Sequence, residues 1–253
     1  MILKFDLYMR PFREERRIHM YLPDDYLDLS KRYPVLYMFD GHNLFNDEDA
    51  TFGKSWNLAA QAQAFGYELI IVGQECSHKG NCRLNEYAPY PYWDPQAGNF
   101  EGQGARTMDF FIHDLKPYID RHFPTLPDRA HTWIGGSSCG GTMALFAAVR
   151  YSKYFSKALA ISPYINYSYQ AFQYDIARSF IIKPTSVYFS WGASEGLGHE
   201  FVDETWHITQ LANQLLEKGV RLSLNVKPHG KHREADWEEE APAYLRFLFS
   251  KQK

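Results

Sequence analysis

Disulfides, a membrane span and a dominant charge are all missing from this chain. Three cysteines occur in 253 residues, Cys76, Cys82 and Cys139. So sparse and odd a set builds no disulfide framework and fits a reducing compartment. The longest apolar runs, such as Leu69-Ile70-Ile71-Val72, fall far short of the roughly 20 residues that a bilayer requires. The opening Met1-Ile2-Leu3-Lys4-Phe5-Asp6 lacks the apolar stretch of a secretory signal. A cytoplasmic protein with no membrane partner is therefore expected. The formal net charge of −3 gives no broad basic surface, so no nucleic-acid partner is expected. The mixed run Arg13-Glu14-Glu15-Arg16-Arg17 reads as a solvated strand or turn face. No repeat or low-complexity tract breaks the chain.

What is present is enough apolar material, 45% of residues, for one large α/β domain over 1–253 that is stable without disulfide or metal. Short apolar runs alternate with amphipathic segments from about residue 34 onward. That alternation predicts a mostly parallel sheet with helices on both faces. Buried strands are expected at 35–39, 69–72, 132–134, 157–161, 187–191 and 222–226, with an antiparallel pair at 3–8 and 18–22. Ile208, Leu211, Ala212, Leu215 and Leu216 keep helical spacing, and Gly219 follows as a stop. Met108, Phe111, Ile112, Leu115 and Ile119 form another stripe, which Pro117 should kink or split. A last helix should begin near Pro242.

One short segment carries chemistry. Residues 135–141 read Gly-Gly-Ser-Ser-Cys-Gly-Gly, and within them Gly136-x-Ser138-x-Gly140 fits a nucleophile elbow. A serine on so tight a turn needs small neighbours two residues either side, because a Cβ there would strike the adjoining strand or helix. An apolar β-type run, His131 to Ile134, precedes the turn, and a helix former, Thr142 to Val149, follows it. A glycine-rich packing turn is the bland alternative. Two serines and a thiol at the apex argue against it. Cys139 is a rival apex, flanked by Ser137 and Gly141. Glycine at both flanking positions favours Ser138.

A serine hydroxyl needs a base and an acid that orients the base. After the elbow, the run Ile161-Ser162-Pro163-Tyr164 holds no acid. The next strand leads into Gly192-Ala193-Ser194-Glu195, which makes Glu195 the first candidate, ahead of Glu200 and Asp203. The last strand runs into Lys227-Pro228-His229-Gly230-Lys231-His232. Position alone does not separate His229 from His232. The two could form a metal pair, but no third ligand is evident, so neither metal nor cofactor is expected.

Several segments in order resemble the putative-esterase branch of the α/β-hydrolases. They are Tyr33 to Phe45 (with Asp40-Gly41-His42), Ser55-Trp56-Asn57, Arg83 to Pro89, Leu115 to Asp120, the elbow, Trp191 to Glu195, and Gly230-Lys231-His232 followed by Trp237. The branch includes S-formylglutathione hydrolases, siderophore esterases, feruloyl and acetylxylan esterases, and mycolyltransferases. The resemblance implies the α/β-hydrolase fold and a Ser138–His232–Glu195 triad working through an acyl-enzyme. It also implies an oxyanion hole from the backbone N–H groups of Cys139 and His42, where the family often has Met and Gln. Asp40 is expected to order the oxyanion loop rather than to move protons.

The aromatic segment Glu86 to Trp93 and a cap segment near 162–182 are expected to border the substrate, a small-molecule ester. Candidate contacts are Asp40, Trp56, Arg83, Glu86, Tyr87 and Tyr164, although an internal ion pair is as good a reading for Arg83 and Glu86. A thioesterase or an acyltransferase would use the same triad. A binding protein that merely retains the fold is the non-enzymatic alternative.

Overall fold

The computed structural model describes residues 1–94, 97–196 and 200–250. Its strands, in chain order, are β1 (Ile2–Met9), β2 (Glu14–Tyr21), β3 (Val35–Phe39), β4 (Ile70–Gln74), β5 (Tyr92–Asp94), β6 (Gly98–Phe100), β7 (Thr132–Ser137), β8 (Lys157–Ile161), β9 (Ser186–Gly192) and β10 (Arg221–Lys227). Eight of them form one sheet in the order β1-β2-β4-β3-β7-β8-β9-β10. β1 and β2 pair antiparallel, as do β2 and β4. The neighbours from β4 to β10 pair parallel. β5 and β6 form a separate antiparallel pair that starts at the end of the aromatic segment and adds to the expected strands.

The apolar runs are strands because a parallel sheet covered on both faces buries every residue. β3, β4, β7, β8 and β9 are buried along their whole length. Alternate side chains feed two cores. Tyr37 and Phe39 enter one, and Leu36 and Met38 enter the other.

The helices are α1 (Leu58–Ala64), α2 (Cys82–Glu86), α3 (Gly104–Phe110), α4 (Lys116–His122), α5 (Cys139–Arg150), α6 (Tyr169–Arg178), α7 (Glu200–Glu217), α8 (Glu234–Glu239) and α9 (Ala241–Phe249). Pro117 splits its stripe as expected. It has no N–H for the carbonyl one turn back, and the ladder widens into a π turn over Phe111–Leu115 between α3 and α4. Pro242 sits in the first turn of α9. Residues 162–182 carry α6 between β8 and β9. Among the described residues no helix is long and apolar enough to cross a membrane.

Two expectations are overturned. β10 is not a buried strand: it is an edge of the sheet, and its Leu224 and Val226 are 47% and 43% exposed. Arg16 does not lie on a solvated face but is 4% exposed. It shares the inward face of β2 with Ile18 and Met20, which are also buried. Its guanidinium donates to both oxygens of Glu86, at 2.7 and 3.2 Å, which makes burial of the charge tolerable.

Candidate active site

Ser138 lies between the last residue of β7 and the first of α5, with φ 56° and ψ −127°. Only a tight strand-to-helix turn holds a serine there, and the flanking glycines make that turn possible. A Cβ on Gly136 would stand 2.8 Å from the Gly140 backbone, and one on Gly140 would stand 2.9 Å from Phe39 Cβ. The positive φ falls at Ser138 and not at Cys139. Cys139 is instead the first helical residue, so its N–H has no carbonyl one turn back. Burial raises its thiol pKa, against the pull of Arg83.

Glu195 and His232 come from the ends of β9 and β10. The two connections touch so closely that a Cβ on Gly192 would lie 2.2 Å from Gly230 O. Ser194 N–H donates to that same carbonyl at 3.0 Å. The result is a hydrogen bond of 2.9 Å between His232 Nδ1 and Glu195 Oε2. Trp237, on α8, lies edge-on to the His232 ring with centroids 5.2 Å apart. Ser138, Cys139, Glu195 and His232 all open onto one cavity of about 490 Å³. His229 is exposed and is not among the residues lining it.

The carboxylate has a further partner that sequence reasoning missed. Ser162 Oγ donates to Glu195 Oε1 at 2.7 Å and accepts from Trp237 Nε1–H at 2.9 Å. Gly192 N–H also donates to Oε1, at 2.6 Å. The sequence signal is the hydroxyl of Ser162, directly after the end of β8. Ser162→Ala removes one of two donors to Oε1 and strands the Trp237 N–H in the core. We expect kcat on an aryl ester to fall about tenfold, equivalent to ~1.4 kcal/mol, with KM little changed. A kcat equal to that of the unaltered protein would show that Ser162 does not support the hydrogen bond between Glu195 and His232.

The remaining candidates divide. Tyr164 lines the cavity, with Tyr92 and Tyr167 beside it. The Tyr164 N–H donates to Ser138 O at 3.2 Å, which ties the 162–182 segment to the elbow. Arg83 also lines the cavity, but its guanidinium is committed to Asp40 at 2.7 and 2.8 Å. Asp40 is left-handed at φ 55° and buried, and opens the turn Gly41–Asn43 that carries His42. Glu86 is a correction: it turns away from the cavity to pair with Arg16 and to accept from Ser77 N–H. Trp56 is a second one, because it packs on Trp237 and Tyr244 in the core. Tyr87 borders a small apolar recess beside the cavity. Its hydroxyl is used internally, donating to Gln74 Oε1 at 2.8 Å. Glu200 reaches the cavity wall, and Asp203 is not among the lining residues.

Glu204, one turn along α7 from Glu200, was not anticipated. It lines the cavity, and burial, followed by repulsion from Glu195, pushes its pKa up to about 7. An acid raised in the folded state favours folding only while neutral. The stability present below its ordinary value near 4.5 is lost as pH climbs through 7. Glu204→Gln should therefore be more stable than the parent at pH 8, by about 1–2 kcal/mol after allowance for solvent screening. The gain should vanish near pH 4.5. Urea melts at both pH values test this, and a gain independent of pH would contradict it.

The sheet order and the strand–turn–helix at Ser138 are those of an α/β-hydrolase. The chain belongs to the family described as "Putative esterase", which matches residues 11–248, and it is a carboxylic ester hydrolase by that membership. It is 26% identical to the Bacillus subtilis protein YbbA over 244 residues, which is 93% of each chain. Among solved structures it is similar to an IroE-like serine hydrolase from Shewanella oneidensis, with TM-score 0.78, 20% identity, and 98% of this chain and 80% of that one covered. It is also similar to an S-formylglutathione hydrolase from Staphylococcus aureus, with TM-score 0.68, 14% identity, and 99% and 96% covered. At such identities the structural likenesses speak for the fold.

Proposed function

We propose that the protein hydrolyses small carboxylic esters through Ser138, His232 and Glu195. His232 takes the Ser138 proton as Oγ attacks the ester carbonyl, and Glu195 orients the ring and stabilises the imidazolium. The N–H groups of Cys139 and His42 receive the tetrahedral oxyanion. His232 returns the proton to the departing alcohol and leaves an acyl-enzyme. Water, deprotonated by the same ring, then attacks the acyl carbon, and the ring passes that proton to Ser138 Oγ as the acid leaves.

The hydrogen bond between His232 Nδ1 and Glu195 Oε2, beside a strained serine on one cavity wall, carries this reading. Ser138 and His232 line the same cavity. Asp40 and Arg83 act as scaffold for the oxyanion turn. Tyr92, Tyr164 and Tyr167 border the substrate, with 162–182 as its cap. Three unpaired thiols support a cytoplasmic setting.

Labelling with a fluorophosphonate, mapped by mass spectrometry, tests the assignment. We expect a single modified residue, Ser138. Label on Cys139, or no label on protein that hydrolyses esters, would overturn it.

A further inference from the structure

His42, Cys76 and His78 sit just past the ends of two parallel neighbours, β3 and β4. One donor atom from each, a ring nitrogen of either histidine and Cys76 Sγ, lies within 4.8 Å of the other two. The two rings meet edge to face with centroids 4.9 Å apart. His42 is 5% exposed and Cys76 4%. His42 Nε2 is engaged with Thr51 Oγ1 at 2.9 Å. His42 Nδ1 is buried with no hydrogen-bond partner among the described residues. An unpaired buried group of that kind costs about 1–3 kcal/mol. The hydrolysis proposed above uses the backbone N–H of His42 and leaves the ring without a task. Neither Cys76 nor His78 lines the catalytic cavity.

We propose that these three side chains bind Zn²⁺ or a cation of the same borderline-soft class. Two imidazoles and a thiolate are the donors that such an ion takes in tetrahedral sites, with the fourth position left to water. Donor–donor edges in a site of this kind are roughly 3.4–3.6 Å, so the cluster needs to close by no more than about 1.4 Å on binding. Both rings already have outer partners. Glu75 Oε1 accepts from His78 Nε2 at 2.8 Å, which leaves His78 Nδ1 for the ion. Thr51 holds His42 Nε2, which leaves His42 Nδ1. Outer carboxylates and hydroxyls of this kind fix the tautomer and orientation of metal-bound histidines. Cys76 and His78 also line an open surface depression of about 560 Å³, which gives the ion a path from solvent. Binding replaces the Cys76 thiol proton, which is released to water. The bound ion would cross-link the 40–43 turn to residues 75–78 and fix the backbone of His42.

The test uses the full chain, stripped of metal with a chelator. Co²⁺ added to one equivalent should give a near-ultraviolet thiolate-to-cobalt charge-transfer band and the intense visible bands of tetrahedral cobalt. Zn²⁺ should compete it away. Affinity for Zn²⁺ is measured by competition with a chromophoric chelator. Cys76→Ser should abolish the charge-transfer band. Cys76→Ser and His78→Ala should each weaken Zn²⁺ binding by about 10²-fold or more. His78 is exposed, so its variant should fold and should retain metal-free ester hydrolysis. Absence of the charge-transfer band in the parent protein would overturn the proposal. So would an affinity unchanged in both variants, since an ion held elsewhere, for instance by His229 and His232, would survive both substitutions.

Discussion

Ser138→Ala should lower kcat for an aryl ester by about 10⁵–10⁶-fold, with the fold and substrate affinity retained. The size follows from what the substitution takes away. Without Oγ no acyl-enzyme forms, and His232 has no proton to accept. What is left is catalysis by the oxyanion donors and the cavity alone, roughly 10³–10⁴-fold over water. Alanine keeps the Cβ and therefore the backbone strain of the turn, so stability should change little. The measurements are turnover on a chromogenic ester and a thermal melt on the same preparation. A variant within tenfold of the parent would take the nucleophile role from Ser138.

Glu195→Gln should lower kcat by about 10⁴-fold, and the hydrogen bonds around the carboxylate explain why an isosteric change is so costly. Oε1 accepts from Gly192 N–H and Ser162 Oγ. A backbone N–H cannot become an acceptor, so the amide of a glutamine must keep its oxygen on that side. Its NH₂ is then forced toward His232 Nδ1. Two donors cannot face each other, and the imidazole must shed its Nδ1 proton and carry one on Nε2. A ring protonated at Nε2 cannot accept the proton of Ser138. The defect should appear in kcat, with KM nearly unchanged. Loss of less than tenfold would show that the ring keeps its tautomer without this carboxylate, and the proposed role of Glu195 would fall.

The strands were legible because a parallel sheet buries whole runs. The expected 35–39 and 157–161 coincide with β3 and β8. The others differ at their ends, where ladder pairing continues into residues of no special hydropathy, such as Gly135 to Ser137 in β7. The elbow was legible because its glycines answer a local steric need. The candidate acid and base were legible as positions at strand ends; position alone left His229 and His232 open, the resemblance favoured His232, and it is His232 that lines the cavity. Contacts distant in sequence left no such trace. Arg16 and Glu86 are 70 residues apart, and nothing local marks either as half of a buried pair. Ser162, Glu204 and the His42–Cys76–His78 cluster escaped for the same reason. Each acquires meaning from neighbours that only the folded sheet supplies. Trp56 lay near the oxyanion segments in sequence but drops into the core beneath Trp237.

The backbone at Ser138 bears on more than catalysis. A serine at φ 56° and ψ −127° occupies a conformation that side-chain-bearing residues avoid, at a cost of order 1–3 kcal/mol. Domains of ordinary stability hold only about 5–15 kcal/mol in total. A measurable fraction of the margin against unfolding is thus given up at a single residue, and packing elsewhere must offset it. Glycine would relax that backbone at the expense of the hydroxyl, so selection for thermal robustness and selection for turnover pull in opposite directions at position 138.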